Sequence, residues 1–125
     1  MYEQDYIMRM INNLVKFLSK IVFNKEIPVY ETSQKKDYAQ SDALHKNLLS
    51  LLSDGKINEA EDMLFEDFNP KDNKDLMVAL DFYNRLNNMD DEYLKANDFS
   101  REEIEQGLRD IAKRTGIATY EIWRY

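Results

Sequence analysis

The sequence predicts an all-α fold: antiparallel helical hairpins packed as a small bundle or hairpin array of about five or six helices. Three observations predict it. Only three glycines and two prolines occur in 125 residues, too few turn-formers for a β fold. Apolar residues recur at the 3.6-residue period in several windows, and nothing alternates as a strand would. Helix start and stop signals bracket those windows. The length suits one domain over residues 1–125, divided into a long N-terminal helix (1–23), a connector (24–32) and a helical body (33–125).

The first helix is the widest feature. Arg9, Asn13, Lys16 and Lys20 fall on one line of the helix, flanked by Asn12 and Ser19. Apolar residues from Tyr6 through Val22 fill roughly 200° of the remaining arc, where a surface helix needs about 100°. Arg9, Lys16 and Lys20 inside the segment exclude a membrane span. A secretion signal is excluded by the lack of a basic start and of a small-residue cleavage site. The surplus apolar arc predicts a cover: the chain's own body, a second copy, another protein or a membrane surface.

After Phe23 the helical period is lost. Pro28 pushes residue 27 away from the α region, which makes 24–32 a connector. Helicity resumes near Ser33 and runs through Tyr38, Leu44, Leu48 and Leu52 to a stop at Asp54-Gly55. The next helix is expected to open near Ile57, with Asn58 and Glu61 at N-cap and N3 spacing. Asn69-Pro70 is expected to open a fourth, with proline at the first helical position and Leu76, Leu80, Tyr83 and Leu86 as its stripe. Asn87–Asp91 breaks it, and a short helix over 91–95 follows. Ser100 and Glu103 have capping-box spacing, and Phe99 and Ile104 form the matching staple. Ile104, Leu108 and Ile111 give the buried face of that helix, and Gly116 ends it.

Charge is unevenly distributed. The net charge is −7, but residues 1–25 carry +2 and the remainder −9. An acidic body disfavours nucleic acid, whose binding depends on a basic surface. Without cysteine there is no disulfide framework and no thiolate chemistry, which fits a cytoplasmic address.

The chemistry-bearing residues do not assemble into a motif. His45 is the only histidine, and no serine is marked as its nucleophile. Asp42-x-x-His45 lacks the second acid-x-x-His that a carboxylate di-metal bundle needs. Asp67-x-Asn69-x-Lys71 starts like a calcium loop, but Asp72 stands where glycine is required and Val78 where a bidentate glutamate is. The three glycines stand apart, so no phosphate cradle exists. The acidic runs around Glu59–Asp67 and Asp90–Glu92 read as solvated helix faces. The expectation is no catalytic residue, no cofactor and no metal.

Three resemblances add to this. Leu44, Leu51 and Leu64, with Gly55-Lys56-Ile57-Asn58-Glu59-Ala60 between helices, make residues 44–70 similar to one tetratricopeptide-type hairpin. Asn47 and Leu48 depart from its usual Leu-Gly pair, and no second copy follows where a solenoid needs at least three. Gln4 to Ile11, Phe17-Leu18 and the Gly55 hairpin resemble an uncharacterised family of short helical bacterial proteins, which implies an all-α cytoplasmic protein and supplies no activity. Residues 108–125, with Ala112, Gly116, Ile117 and Ile122 at small, turn and apolar positions, look like a DNA-binding helix-turn-helix. The acidic surroundings favour the plainer alternative, a helix ended by Gly116 with a docked tail.

These readings converge on a non-catalytic interaction or scaffold protein that takes a protein partner or self-associates, as a homodimer through the first helix. The contact face is expected to use Ile7, Met10, Ile11, Leu14, Phe17 and Leu18, with a second patch at Tyr120, Trp123 and Tyr125. The alternatives are a DNA-binding regulator through 108–125 and a peripheral membrane-surface protein through 1–23.

Overall fold

Six helices make up the described part of the computed structural model, residues 2–23 and 39–117: α1 (Tyr2–Phe23), α2 (Ala39–Ser53), α3 (Ile57–Asp67), α4 (Asn73–Asn87), α5 (Asp91–Ala96) and α6 (Arg101–Arg114). No strand occurs among the described residues, and the fold is a small all-α bundle. The connector expected over 24–32 and the helix start expected near Ser33 lie outside them.

The centre is α4. Residues 75–83 are buried without a break, so this helix is covered on every side rather than along one stripe. It packs against α1, α2 and α6. The expected stripe of Leu76, Leu80, Tyr83 and Leu86 is buried, and Met77, Val78, Ala79 and Phe82 are buried with it. Packing of α1 on α6 and of α2 on α3 closes the bundle. The α2–α3 connection is three residues long, as a helical hairpin requires.

Three helices end in the same way. At Gly55, Asp98 and Gly116 the backbone turns left-handed, with φ of 74°, 59° and 84°. The next residue's N–H then bonds back across the turn: Lys56 to the Leu51 carbonyl, Phe99 to Leu94 and Ile117 to Ala112, each at 2.9 Å. Gly55 and Gly116 were expected to end their helices. Asp98 does the same work without glycine, in a conformation that short polar side chains tolerate better than most.

The capping box at Ser100 is present. Ser100 Oγ accepts from Glu103 N–H, and Glu103 Oε2 accepts from Ser100 N–H at 2.8 Å. One other start and one cap differ from expectation. Asn69 opens a turn rather than a helix: its Oδ1 accepts from Lys71 N–H and its carbonyl from Asp72 N–H, both at 3.0 Å. Helix α4 then starts three residues after Pro70, because Asp72 Oδ1 caps Lys74 N–H at 2.9 Å. In α3 the N-cap is Lys56, not Asn58. Asn58 lies inside the first turn, where Nδ2 donates to the Asp98 carbonyl at 3.0 Å and ties α3 to the end of α5.

Candidate functional site

The apolar arc of α1 divides in two. Ile7, Ile11, Leu14, Val15 and Leu18 are buried at 8% exposure or less in the chain's own core. Each contributes roughly 1.5–3 kcal/mol on burial, which makes α1 part of the fold. Four of the six expected contact residues, Ile7, Ile11, Leu14 and Leu18, are therefore taken up within the chain. The physical reason is that α1 lies against α4 and α6, and these four point between them. The other two, Met10 and Phe17, are half-buried.

Beside them the arc is open. Tyr6 is 48% exposed and Ile21 54%. At 100° per residue, Tyr6, Met10, Phe17 and Ile21 fall within about 60° of one another, on a flank of α1 that adjoins the core-facing arc, with Phe17 packed against the core's edge. Asn13 borders this strip, and Arg9, Lys16 and Lys20 lie beyond it, all four exposed. Sequence periodicity gave the width of the arc but not which flank the body would leave uncovered. Tyr120, Trp123 and Tyr125, the expected second patch, lie outside the described residues, as does most of the helix-turn-helix-like segment after Ile117.

The polar clusters are built differently from any reactive constellation. Ser41 and His45 stand one turn apart on α2, and each meets its own aspartate on α4. Ser41 Oγ donates to Asp75 Oδ1 at 2.5 Å. His45 Nε2 lies 2.8 Å from Asp81 Oδ2, which also accepts from Arg85 Nε at 2.7 Å. Because the serine donates to a carboxylate instead of the imidazole, the three residue types do not form a Ser-His-Asp relay. Next to them a cleft of about 350 Å³ is lined by Gln40, Leu44, Asn47, Asp67, Asn69 and Asp75, among others. Its buried carboxylate, Asp75, already accepts from Ser41 and from Asn69 N–H at 2.9 Å.

Arg101 is buried at 3% exposure and acts as a joint. Nη1 donates to the Asn87 carbonyl at 2.9 Å, Nη2 to the Met89 carbonyl at 2.6 Å, and Nε to Asp91 Oδ1 at 2.7 Å. One guanidinium thus caps the C-terminus of α4 and meets the acidic first turn of α5. Asn87 extends the joint to α1, donating from Nδ2 to the Met8 carbonyl at 3.1 Å.

Tyr83, fully buried, donates its hydroxyl to Glu61 Oε2 at 2.7 Å. Burial pushes the Tyr83 phenol well above its usual range, and the Glu61 charge adds to this. Burial also raises the Glu61 carboxyl; the bond from Tyr83 opposes that shift, and the negative charges of Glu103, Asp62 and Asp110 reinforce it. Gly107 on α6 makes room for the ring. A Cβ there would clash with the phenol oxygen and stand 2.5 Å from Cζ.

Among the described residues, no helix is long and apolar enough to cross a membrane, and no group of three or more His, Cys, Asp or Glu is placed to hold a metal ion. A family model described as a family of unknown function, DUF6483, matches residues 1–116, and the chain belongs to that family. No curated protein and no solved structure matches it.

Proposed function

We propose that this DUF6483 member is a non-catalytic, cytoplasmic interaction protein whose contact is the open flank of α1. The observation that carries the reading is the strip of Tyr6, Met10, Phe17 and Ile21, which lies between the buried face and the basic face of α1. Tyrosine, phenylalanine and methionine are the residue types enriched at protein contacts. The rest of the chain is strongly acidic, which argues against nucleic acid and against an anionic membrane as the cover. The absence of cysteine supports a reducing compartment.

Site-specific photo-crosslinking in living cells tests this. A photoreactive side chain at position 6 or 21 should give discrete protein adducts, whereas one at Glu59, exposed on α3, should not. Adducts to lipid alone, or equal labelling at all three positions, would rule the reading out.

A further inference from the structure

Asp75 is a buried acid without a cation. It is 5% exposed, and each oxygen accepts from a neutral donor: Oδ1 from the Ser41 hydroxyl at 2.5 Å and Oδ2 from Asn69 N–H at 2.9 Å. Each oxygen keeps acceptor capacity for one more donor. Buried charges are ordinarily paired or hold a metal. Asp81, the other buried aspartate among the described residues, meets Arg85 Nε at 2.7 Å. Asp75 enters no ion pair among the described residues.

The cleft of about 350 Å³ supplies a route to this carboxylate. Gln40, Ala43, Leu44 and Asn47 form one wall, spaced to share a face of α2. Asp67, the last residue of α3, and Asn69 face them from the α3–α4 side. Three sources of negative potential therefore meet there: the Asp75 carboxylate, the Asp67 carboxylate and the C-terminal end of α3. No basic side chain lines the cleft. Amides complete its lining. Gln40 and Asn47 make no side-chain hydrogen bond among the described residues, and Asn69 keeps its Nδ2 after its Oδ1 has accepted from Lys71 N–H.

We infer that this cleft binds a small polar molecule carrying a primary ammonium. The ammonium donates to Asp75, and the amides of Gln40, Asn47 and Asn69 meet the molecule's other polar groups. The volume falls at the small end of the range for organic ligands, about 300–1,000 Å³. A bare metal ion fits less well. A hard divalent cation takes about six or more oxygen ligands, and no group of three or more His, Cys, Asp or Glu among the described residues is placed to hold one. The cleft lies between α2 and the α3–α4 turn, whereas α1 packs on α4 and α6. The site is thus separate from the α1 flank, and its failure would leave the proposed contact there untouched.

Amide-shift titration by NMR on the full chain tests this, with probe pairs matched in size: 1,4-diaminobutane against 1,4-butanediol, and glucosamine against glucose. Each ammonium probe should give saturable shifts at the amides of Ser41, Asn69 and Asp75. It should bind about tenfold or more tightly than its hydroxyl counterpart, the advantage of a charge-assisted hydrogen bond. Ala43→Trp, which fills the cleft from an exposed position on α2, should weaken ammonium binding about tenfold or more and leave the urea midpoint within about 0.5 kcal/mol of the parent. Asp75→Asn should remove the preference for ammonium. If that variant fails to fold, Asp67→Asn at the exposed rim should lower ammonium affinity about threefold.

Equal binding of the ammonium and hydroxyl probes, or no saturable shift from either ammonium probe, would overturn the inference. Shifts that persist undiminished in Ala43→Trp would overturn the location. Tight binding of calcium or magnesium alone, lost in Asp75→Asn, would make this a metal site and overturn the amine. A clear preference for N-acetyl-lysine methylamide over both free amines would assign the cleft to a lysine side chain of a partner protein and overturn the small molecule.

Discussion

Gly107→Ala should destabilise the fold, against the usual sign for such a change. In the interior of a helix, alanine is favoured over glycine by about 1 kcal/mol. Here the added Cβ would meet the Tyr83 hydroxyl and stand 2.5 and 2.7 Å from Cζ and Cε1. Tyr83 is fully buried and lies edge-on to Phe82, with ring centroids 5.1 Å apart, so the ring has no empty space to move into. Overpacking of this kind costs about 1–3 kcal/mol. Displacing the hydroxyl from Glu61 forfeits a hydrogen bond to a charged group, about 1.5–3 kcal/mol. After the helix-propensity gain, the net loss is about 1.5–5 kcal/mol. Urea unfolding followed by circular dichroism reads this directly, with exposed Gln106→Ala as a neighbour expected to stay within about 0.5 kcal/mol. In a Tyr83→Leu background the penalty for Gly107→Ala should shrink, because the clashing atoms are gone. If Gly107→Ala proves as stable as the parent or more so, the close approach of Tyr83 to α6 is wrong.

Three further substitutions test other joints. Arg101→Met should cost at least about 3 kcal/mol, since it leaves the carbonyls of Asn87 and Met89 without their donor, and thermal unfolding of the isolated chain would read this. Asp98→Gly should raise stability by up to about 1 kcal/mol by relieving the left-handed backbone at that position, readable as a higher urea midpoint. Glu61→Gln should change how stability varies with pH. The folded carboxyl titrates above its ordinary value, so the folded state holds the proton more tightly than the unfolded chain. The stability this provides is complete below the ordinary glutamate value and is lost as pH rises through the raised folded value. Near neutral pH, Glu61→Gln should therefore be the more stable protein. Its advantage should close as pH falls towards about 4–5, and urea midpoints measured over that range would show the convergence.

What could be read in the sequence was whatever a short stretch of chain decides by itself. The Ser100–Glu103 box and the left-handed glycines at 55 and 116 depend on neighbours a few residues away, and all three are where the sequence put them. The cap of α3 and the start of α4 were misplaced because two signals competed. Asn69 makes its own turn, which leaves Asp72 to cap, and Asn58 bonds to a carbonyl forty residues further on. In sequence Arg101 carries no signal beyond its place after the Ser100 cap, and Gly107 stands alone. Their roles appear only once α4 lies alongside, because Arg101 reads the end of that helix and Gly107 its tyrosine. His45 with Asp81 is the same case at a separation of 36 residues. Long-range polar partners carry no periodic signature, so composition and spacing could reject motifs here without finding these pairs.

The division of α1 is itself open to test, because the helix does not sit at the rotation that its apolar residues alone would favour. Its buried arc runs from Leu14 round to Ser19, which is completely buried, while Tyr6 and Ile21 on the opposite flank stay half in water. Turning the helix by about 50° would centre its apolar arc on the core, bury Ile21 and return Ser19 to solvent, with Tyr6 left at the margin. The rotation seen is held by packing against α4 and α6 and by the bond from Asn87 to the Met8 carbonyl. Ser19 Oγ finds no hydrogen-bond partner among the described residues. A buried hydroxyl without a partner costs about 1–3 kcal/mol, and alanine is also the better helix former. Ser19→Ala should therefore stabilise the chain by at least about 1 kcal/mol, measured by urea unfolding at a concentration low enough to keep the chain monomeric. A loss of stability instead would mean that the hydroxyl has a partner holding this rotation. The open flank would then follow from that bond. If Ser19→Ala stabilises as expected, the chain carries a removable cost in the rotation that presents Tyr6, Met10, Phe17 and Ile21, which is what a flank kept for a partner predicts.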